Sequence, residues 1–103
     1  MMLGKVVGTV VSSSRADGIA NARYLLVEAS DERGKRLGGT LVALDLVQAN
    51  TDQLVMLAQG SSCRWTPETT DKPIDALIVG IVDSIDVASA VTYNAGGEEE
   101  SEP

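Results

Sequence analysis

Histidine and phenylalanine are both missing from this 103-residue chain, and cysteine occurs only once. Without histidine, and with a single thiol that has no evident base to activate it, the familiar catalytic pairs and zinc ligand sets have no residues to form them. We therefore predict that the chain is not an enzyme and that it carries no cofactor and no metal. A single cysteine also excludes an internal disulfide, which fits a reducing cytoplasmic location.

Aromatic and basic residues are scarce. Three residues are aromatic, and eight lysines and arginines face fifteen acids, so the net charge is -7. Proteins that bind single-stranded nucleic acid use a basic groove with stacking aromatics, and we therefore expect no nucleic-acid partner. No apolar run approaches the roughly 20 residues of a membrane span. The first residues lack the order of a signal peptide, so we expect no membrane association.

Short aliphatic runs separated by turn signals make up most of the chain, and none shows a convincing helical period. This pattern predicts one all-β domain over residues 1–94. The predicted strands are residues 3–12, 24–29, 39–44, 54–58 and 76–87, with a hairpin turn at 31–35. The glutamate-rich remainder, residues 95–103, is expected to be a disordered acidic tail.

The segment that runs from Gly60 through Ser61, Ser62 and Cys63 to Arg64 is the strongest local signal. It predicts a single helical turn after the fourth strand, with Ser61 or Ser62 as the N-cap and Pro67 ending it. Such a turn could bind an anion, with Arg64 as an added donor. The favoured interpretation is that a serine caps the turn while Arg64 pairs with a carboxylate. Cys63 is expected to be a small buried hydrophobe.

Asp75 and Asp83 are the candidate partners of Arg64. Asp83 lies within an apolar strand, where a buried unpaired carboxylate would be costly. Two interpretations remain open: Asp83 reaches water at a strand end, or it pairs with Arg64 across a subunit contact.

Both faces of the first and last predicted strands are apolar. A small barrel with a solvated exterior would alternate polar and apolar residues. The pattern therefore indicates that something covers the outside of these strands, and self-association is the simplest cover.

Five segments in order, residues 3–11, 25–28, 42–45, 60–64 and 73–83, resemble the pentameric shell vertex proteins of bacterial microcompartments, of the carboxysome and ethanolamine-utilisation type. The combination of Gly-Ser-Ser-x-Arg with Asp-x-x-x-x-Gly-Ile-Val-Asp at this spacing carries the resemblance. It implies an OB-like five-stranded β-barrel and a homopentamer. It also implies a position at the vertices of an icosahedral shell in the cytoplasm, beside hexameric and trimeric shell proteins. The alternative is an OB-like module that binds a small ligand or a nucleic-acid single strand.

The resemblance also suggests roles for individual residues. Gly60, Ser61, Ser62, Arg64, Asp75 and Asp83 are expected to form a subunit interface or a structural motif. Where the family has Ala-Gly-x-Gly-Glu, residues 49–53 of this chain have Asn50 and Asp52 in place of the two glycines, and both residues tolerate a left-handed backbone. This loop is a candidate to line an axial pore, and its residues are Gln48, Ala49, Asn50, Thr51 and Asp52.

Overall fold

Short aliphatic runs form the strands of this protein, as expected from the β-propensity of valine and isoleucine. The computed structural model describes residues 1–96, which form seven strands and one 3-10 helix. Their bounds are β1 Met2–Val10, β2 Tyr24–Ser30, β3 Arg36–Asp45, β4 Leu54–Gln59, the 3-10 helix Gly60–Arg64, β5 Ala76–Ile81, β6 Ser84–Val87 and β7 Ala90–Asn94. Both bounds of each of the first four predicted strands thus lie within three residues of the observed bounds.

Five of these strands close into a barrel in the order β1-β2-β3-β5-β4. Four of the contacts are antiparallel, and the barrel closes where β3 and β5 run parallel, pairing Leu44 with Leu77 and Asp45 with Ile78. Closure leaves the sheet with few unpaired edges. The prediction of a small all-β, five-stranded barrel with a short helical turn after the fourth strand is confirmed.

Two apolar clusters fill the fold. The larger one occupies the barrel interior, and its buried members are Val6, Leu25, Val27, Ala43, Ala49, Val55, Leu57, Ala76 and Ile78. The smaller one lies beneath the 3-10 helix, with Leu44, Ala58, Cys63, Ile74 and Leu77. Leu77 and Ile78 are adjacent in β5, so their side chains enter different clusters. At Leu77, therefore, the outer apolar face of β5 is covered by this chain's own 3-10 helix, where we expected another subunit.

The predicted strand over residues 76–87 is wrong in one respect, because it breaks after Ile81. The Val82 amide donates to the Leu54 carbonyl at 2.8 Å, which ends the pairing with β4. Asp83 then carries the chain out of the barrel into β6, and its carbonyl accepts the Ala95 amide at 2.8 Å. A change of sheet inside an apolar run leaves little trace in the sequence.

Strand β7 escaped prediction altogether. It pairs with β6 in a separate two-stranded sheet, across a turn in which Ala88 and Ser89 both have positive φ, at 53° and 71°. Such turns usually contain asparagine or glycine, so the Ala88-Ser89 sequence does not predict a turn.

The β6–β7 hairpin is attached to the turn between β2 and β3. Thr92 Oγ1 donates to the Glu32 carbonyl at 2.7 Å. The Tyr93 ring lies over Gly34, where an added Cβ would approach ring atoms to 2.8 Å. Because an isolated two-stranded hairpin is marginal in water, these contacts hold the second sheet in place. The predicted acidic tail lies outside the described residues from position 97 onward.

Candidate functional site

The Gly60–Arg64 helix, which we call the corner, joins β4 to the segment that enters β5. Gly60 has φ of 66°, a left-handed conformation that glycine adopts without strain. Its amide donates to the Asp75 carbonyl at 3.0 Å. The corner is therefore fastened to the start of β5 through the backbone.

The predicted serine cap is wrong. The N-cap position is Gln59, and no side chain caps this end of the helix. Ser62 Oγ instead donates back to the Gln59 carbonyl at 2.8 Å, while Ser61 and Ser62 are both exposed. The helix also ends at Arg64, three residues before Pro67, so proline does not stop it.

Arg64 binds its own chain. Its Nη1 donates to the Ile74 carbonyl at 2.6 Å, and the ion pairs among residues 1–96 involve other arginines. The side chains of Asp75 and Asp83 are exposed. Within one subunit, Arg64 thus meets a backbone carbonyl where we expected a carboxylate, and Asp83 reaches water near a strand end.

Cys63 is the buried residue of the corner. Its Sγ donates to the Gly60 carbonyl at 2.9 Å and lies 3.3 Å from the Ile74 carbonyl. Burial raises the pKa of this thiol above its ordinary value. The residue therefore packs as a small neutral side chain, as the sequence indicated.

The candidate pore loop, residues 48–52, leaves the barrel between β3 and β4. Ala49 is fully buried in the main core, while Gln48, Asn50, Thr51 and Asp52 are exposed. Positive φ occurs at Gln48 and Asp52, at 61° and 74°. A left-handed backbone was expected at Asn50 and Asp52, so the prediction holds for Asp52 but the second position is Gln48.

Two residues that the sequence analysis overlooked support this loop. The Asp45 side chain is fully buried and accepts hydrogen bonds from the amides of Val47 and Ala49, at about 3.1 Å each. The guanidinium of Arg23 pairs with the same carboxylate and donates to the Ala49 carbonyl at 2.8 Å. An acid directly after a strand of valine and leucine, followed by a loop, was the available signal.

A shallow groove of about 460 Å³ lies beside Val10, Tyr24, Val42 and Pro73. Tyr24 donates to Asp17 at 2.6 Å. Burial, followed by this hydrogen bond, raises the pKa of Tyr24 to about 12, and the same bond lowers the pKa of Asp17. Because the Tyr24 hydroxyl already donates to Asp17, its proton is not free to bind a ligand in the groove.

Comparison with known proteins identifies the family to which this barrel belongs. Residues 1–83 match the family described as ethanolamine utilisation protein EutN/carboxysome. The carboxysome shell vertex protein CcmL of Synechocystis is 42% identical over 94 residues, which cover 91% of this chain and 94% of the relative. The chain belongs to this family of shell vertex proteins.

Solved structures of this family agree in fold. The structure of CcmL from Gloeobacter violaceus superposes with a TM-score of 0.87 at 34% identity, covering 93% of this chain and 99% of that chain. The pentameric microcompartment shell protein GrpN from Rhodospirillum rubrum superposes with a TM-score of 0.76 at 38% identity, covering 84% and 99%. The resemblance seen in the sequence is confirmed, and so is the expectation of a structural protein, since these relatives are shell proteins and not enzymes.

The described residues also bear on metal binding and on membrane-spanning helices. Among residues 1–96, no group of three or more histidine, cysteine or acidic side chains is arranged to hold a metal ion. In the same range, no helix is long and apolar enough to cross a membrane.

Proposed function

We propose that this chain assembles as a homopentamer that occupies the vertices of an icosahedral microcompartment shell within the cytoplasm. The observation that carries the proposal is the match along nearly the whole chain to shell vertex proteins, one of which is described as pentameric. A cyclic pentamer uses heterologous contacts, in which one face of a subunit meets a different face of its neighbour. A subunit that makes such contacts needs two different exposed surfaces, each complementary to the other.

Exposed apolar side chains on the barrel are consistent with this need. Val42 on β3 is 47% exposed, and Met56 on β4 is 38% exposed. Val11, just after β1, is almost fully exposed. Val42 and Met56 thus lie on two barrel strands and Val11 directly follows a third, and burial between subunits would remove all three from water.

The corner contributes to this proposal in two ways. Gly60 and Arg64 act within the subunit, because their observed partners are the backbone carbonyls of Asp75 and Ile74. The exposed side chains of the motif, those of Ser61, Ser62, Asp75 and Asp83, are proposed to face the neighbouring subunit. The corner thus presents interface groups from a backbone that its own barrel fixes.

The shell partners follow from geometry. Flat hexagonal tiles cannot close a surface without five-fold defects, so a pentamer supplies curvature where tiles meet. We propose hexameric and trimeric shell proteins as the neighbours of the pentamer. Residues 48–52 are proposed to line its axial opening, and residues 1–94 to form the assembling domain.

Native mass spectrometry at micromolar concentration tests the assembly. We expect a species of five times the 10.8 kDa chain mass. The variants Asp75→Arg and Asp83→Arg are expected to shift the population toward monomer, because each reverses a charge at the proposed contact.

Glu32→Arg is the matched control, since Glu32 is an exposed acid in the turn between β2 and β3. A wild-type chain that stays monomeric would refute the pentamer. A pentamer that survives both aspartate variants as well as it survives the control would remove Asp75 and Asp83 from the interface.

The alternative, a binding module for a small ligand or a single strand, is not favoured. The relatives are shell proteins, and the chain carries a net charge of -7 with three aromatic residues. An anionic strand would be repelled by such a surface.

A further inference from the structure

We propose that Arg23 and Asp45 are the positioning residues of the 48–52 loop. Together they fix the start of its backbone, around Gln48 and Ala49, from within the subunit. The inference rests on contacts inside one chain, so it goes beyond the proposed assembly and stands or falls independently of it.

The position of Asp45 is the first step. It is the last residue of β3, and its backbone pairs with Ile78 where the barrel closes. Its amide donates to the Arg23 carbonyl at 2.8 Å. The carboxylate therefore projects from a backbone that both neighbouring strands restrain, and it provides a rigid anchor for whatever binds it.

The partners of the carboxylate are the second step. Its oxygens accept the Val47 amide at 3.1 Å and the Ala49 amide at 3.1 and 3.3 Å. These amides flank Gln48, whose φ of 61° is unfavourable for a residue with a side chain. The carboxylate holds the backbone on both sides of a strained residue, and so compensates the strain locally.

Arg23 is the third step. The Asp45 side chain is fully buried, and a buried carboxylate requires a counter-charge. Arg23 supplies this charge and also donates to the Ala49 carbonyl at 2.8 Å. Ala49 is thereby held at its amide by Asp45 and at its carbonyl by Arg23, while its methyl group lies in the core.

The far end of the loop is held by other means. Asn50 donates its amide to Gln53 Oε1 at 2.7 Å, and Asp52 donates its amide to the Val6 carbonyl at 2.8 Å. Neither contact involves Arg23 or Asp45. Loss of the ion pair is therefore expected to loosen residues 46–49 and to leave the anchorage of Asp52 on β1.

Site-resolved amide exchange by NMR on the full chain tests the proposal. In Arg23→Gln, exchange at Val47 and Ala49 is expected to accelerate at least about tenfold, the factor for losing one charge-assisted hydrogen bond. The amides of Gly60 and Asp52 are expected to keep their wild-type rates. Arg23→Lys, which retains the charge, is expected to restore most of the protection.

Arg33→Gln is the matched control, because it removes the same charge from an exposed position in the turn after β2. It is expected to change neither Val47 nor Ala49. Unchanged protection at these two amides in Arg23→Gln would overturn the proposal. So would an equal acceleration at Gly60 and Asp52, since that result would mean that Arg23 stabilises the whole barrel and does not position the loop.

Discussion

The corner and the 48–52 loop are both short connections at the surface of one barrel, yet they are held in different ways. The corner is held at backbone carbonyls, those of Asp75 and Ile74, which accept the Gly60 amide and the Arg64 guanidinium. The loop is held by a buried carboxylate and its arginine partner, which lie 22 residues apart in the chain. A local motif thus builds the first connection, and a long-range ion pair builds the second.

This difference explains which connection the sequence reveals. The closely spaced glycine, serines and arginine of residues 60–64 predict a tight turn. Asp45 at the end of β3 and Arg23 just before β2 give no signal in the sequence, because they meet only when the two strands pair. If side-chain charge matters more at the loop than at the corner, substitutions at the two connections should differ in their effect on stability.

The largest contrast is expected between Asp45→Ala and Asp75→Ala. The first leaves two loop amides without their acceptor and Arg23 without its partner, at a cost of about 3 kcal/mol in the free energy of unfolding. The second removes an exposed side chain whose backbone carbonyl does the binding, so the change stays within about 0.5 kcal/mol. Urea unfolding of dilute, unassembled protein measures both, because assembly would add to the apparent stability of a subunit. Equal costs would contradict the distinction between the two connections.

A smaller effect is expected for Arg64→Ala. It removes the charge-assisted hydrogen bond to the Ile74 carbonyl, at a cost of about 1.5 kcal/mol. Arg33→Ala serves as the control, because Arg33 is exposed. Chemical denaturation of dilute, unassembled protein is the suitable measurement. A cost as large as that of Asp45→Ala would indicate that Arg64 has a carboxylate partner after all.

The smallest effect concerns pH at the corner. Burial raises the pKa of Cys63, so the unfolded chain releases the thiol proton before the folded chain does. The stability contributed by the neutral thiol is present below the unfolded pKa of about 8.5 and is lost as pH rises through the folded value. Stability curves of wild type and Cys63→Ala are expected to diverge in slope above about pH 8.5. Parallel curves would contradict the conclusion that burial raises the pKa of Cys63.

Much of the fold could be predicted from the sequence because its strands are aliphatic runs bounded by turn residues. The first four strands and the turn after β4 were found in this way, whereas the five-stranded barrel was implied by the family resemblance. The break at Val82 and the β6–β7 hairpin were missed, since a strand that changes sheets keeps its composition and the turn at Ala88 and Ser89 lacks glycine. At the site, the corner residues were located, but the cap and the partner of Arg64 were not, because both depend on which backbone atoms the folded chain brings within reach.

The parallel pairing of β3 with β5 has a consequence for how the chain matures during synthesis. Strands β1 to β4 leave the ribosome first, and without β5 their native pairings make an open sheet, with β3 and β4 as its unpaired edges. Only when residues 76–81 emerge does β5 join β3 to β4 and seal the cylinder. Such non-local closure is slow, and open edges invite wrong partners in the interval. A nascent subunit of this protein is therefore most exposed to aggregation in the interval between the emergence of β4 and the emergence of β5.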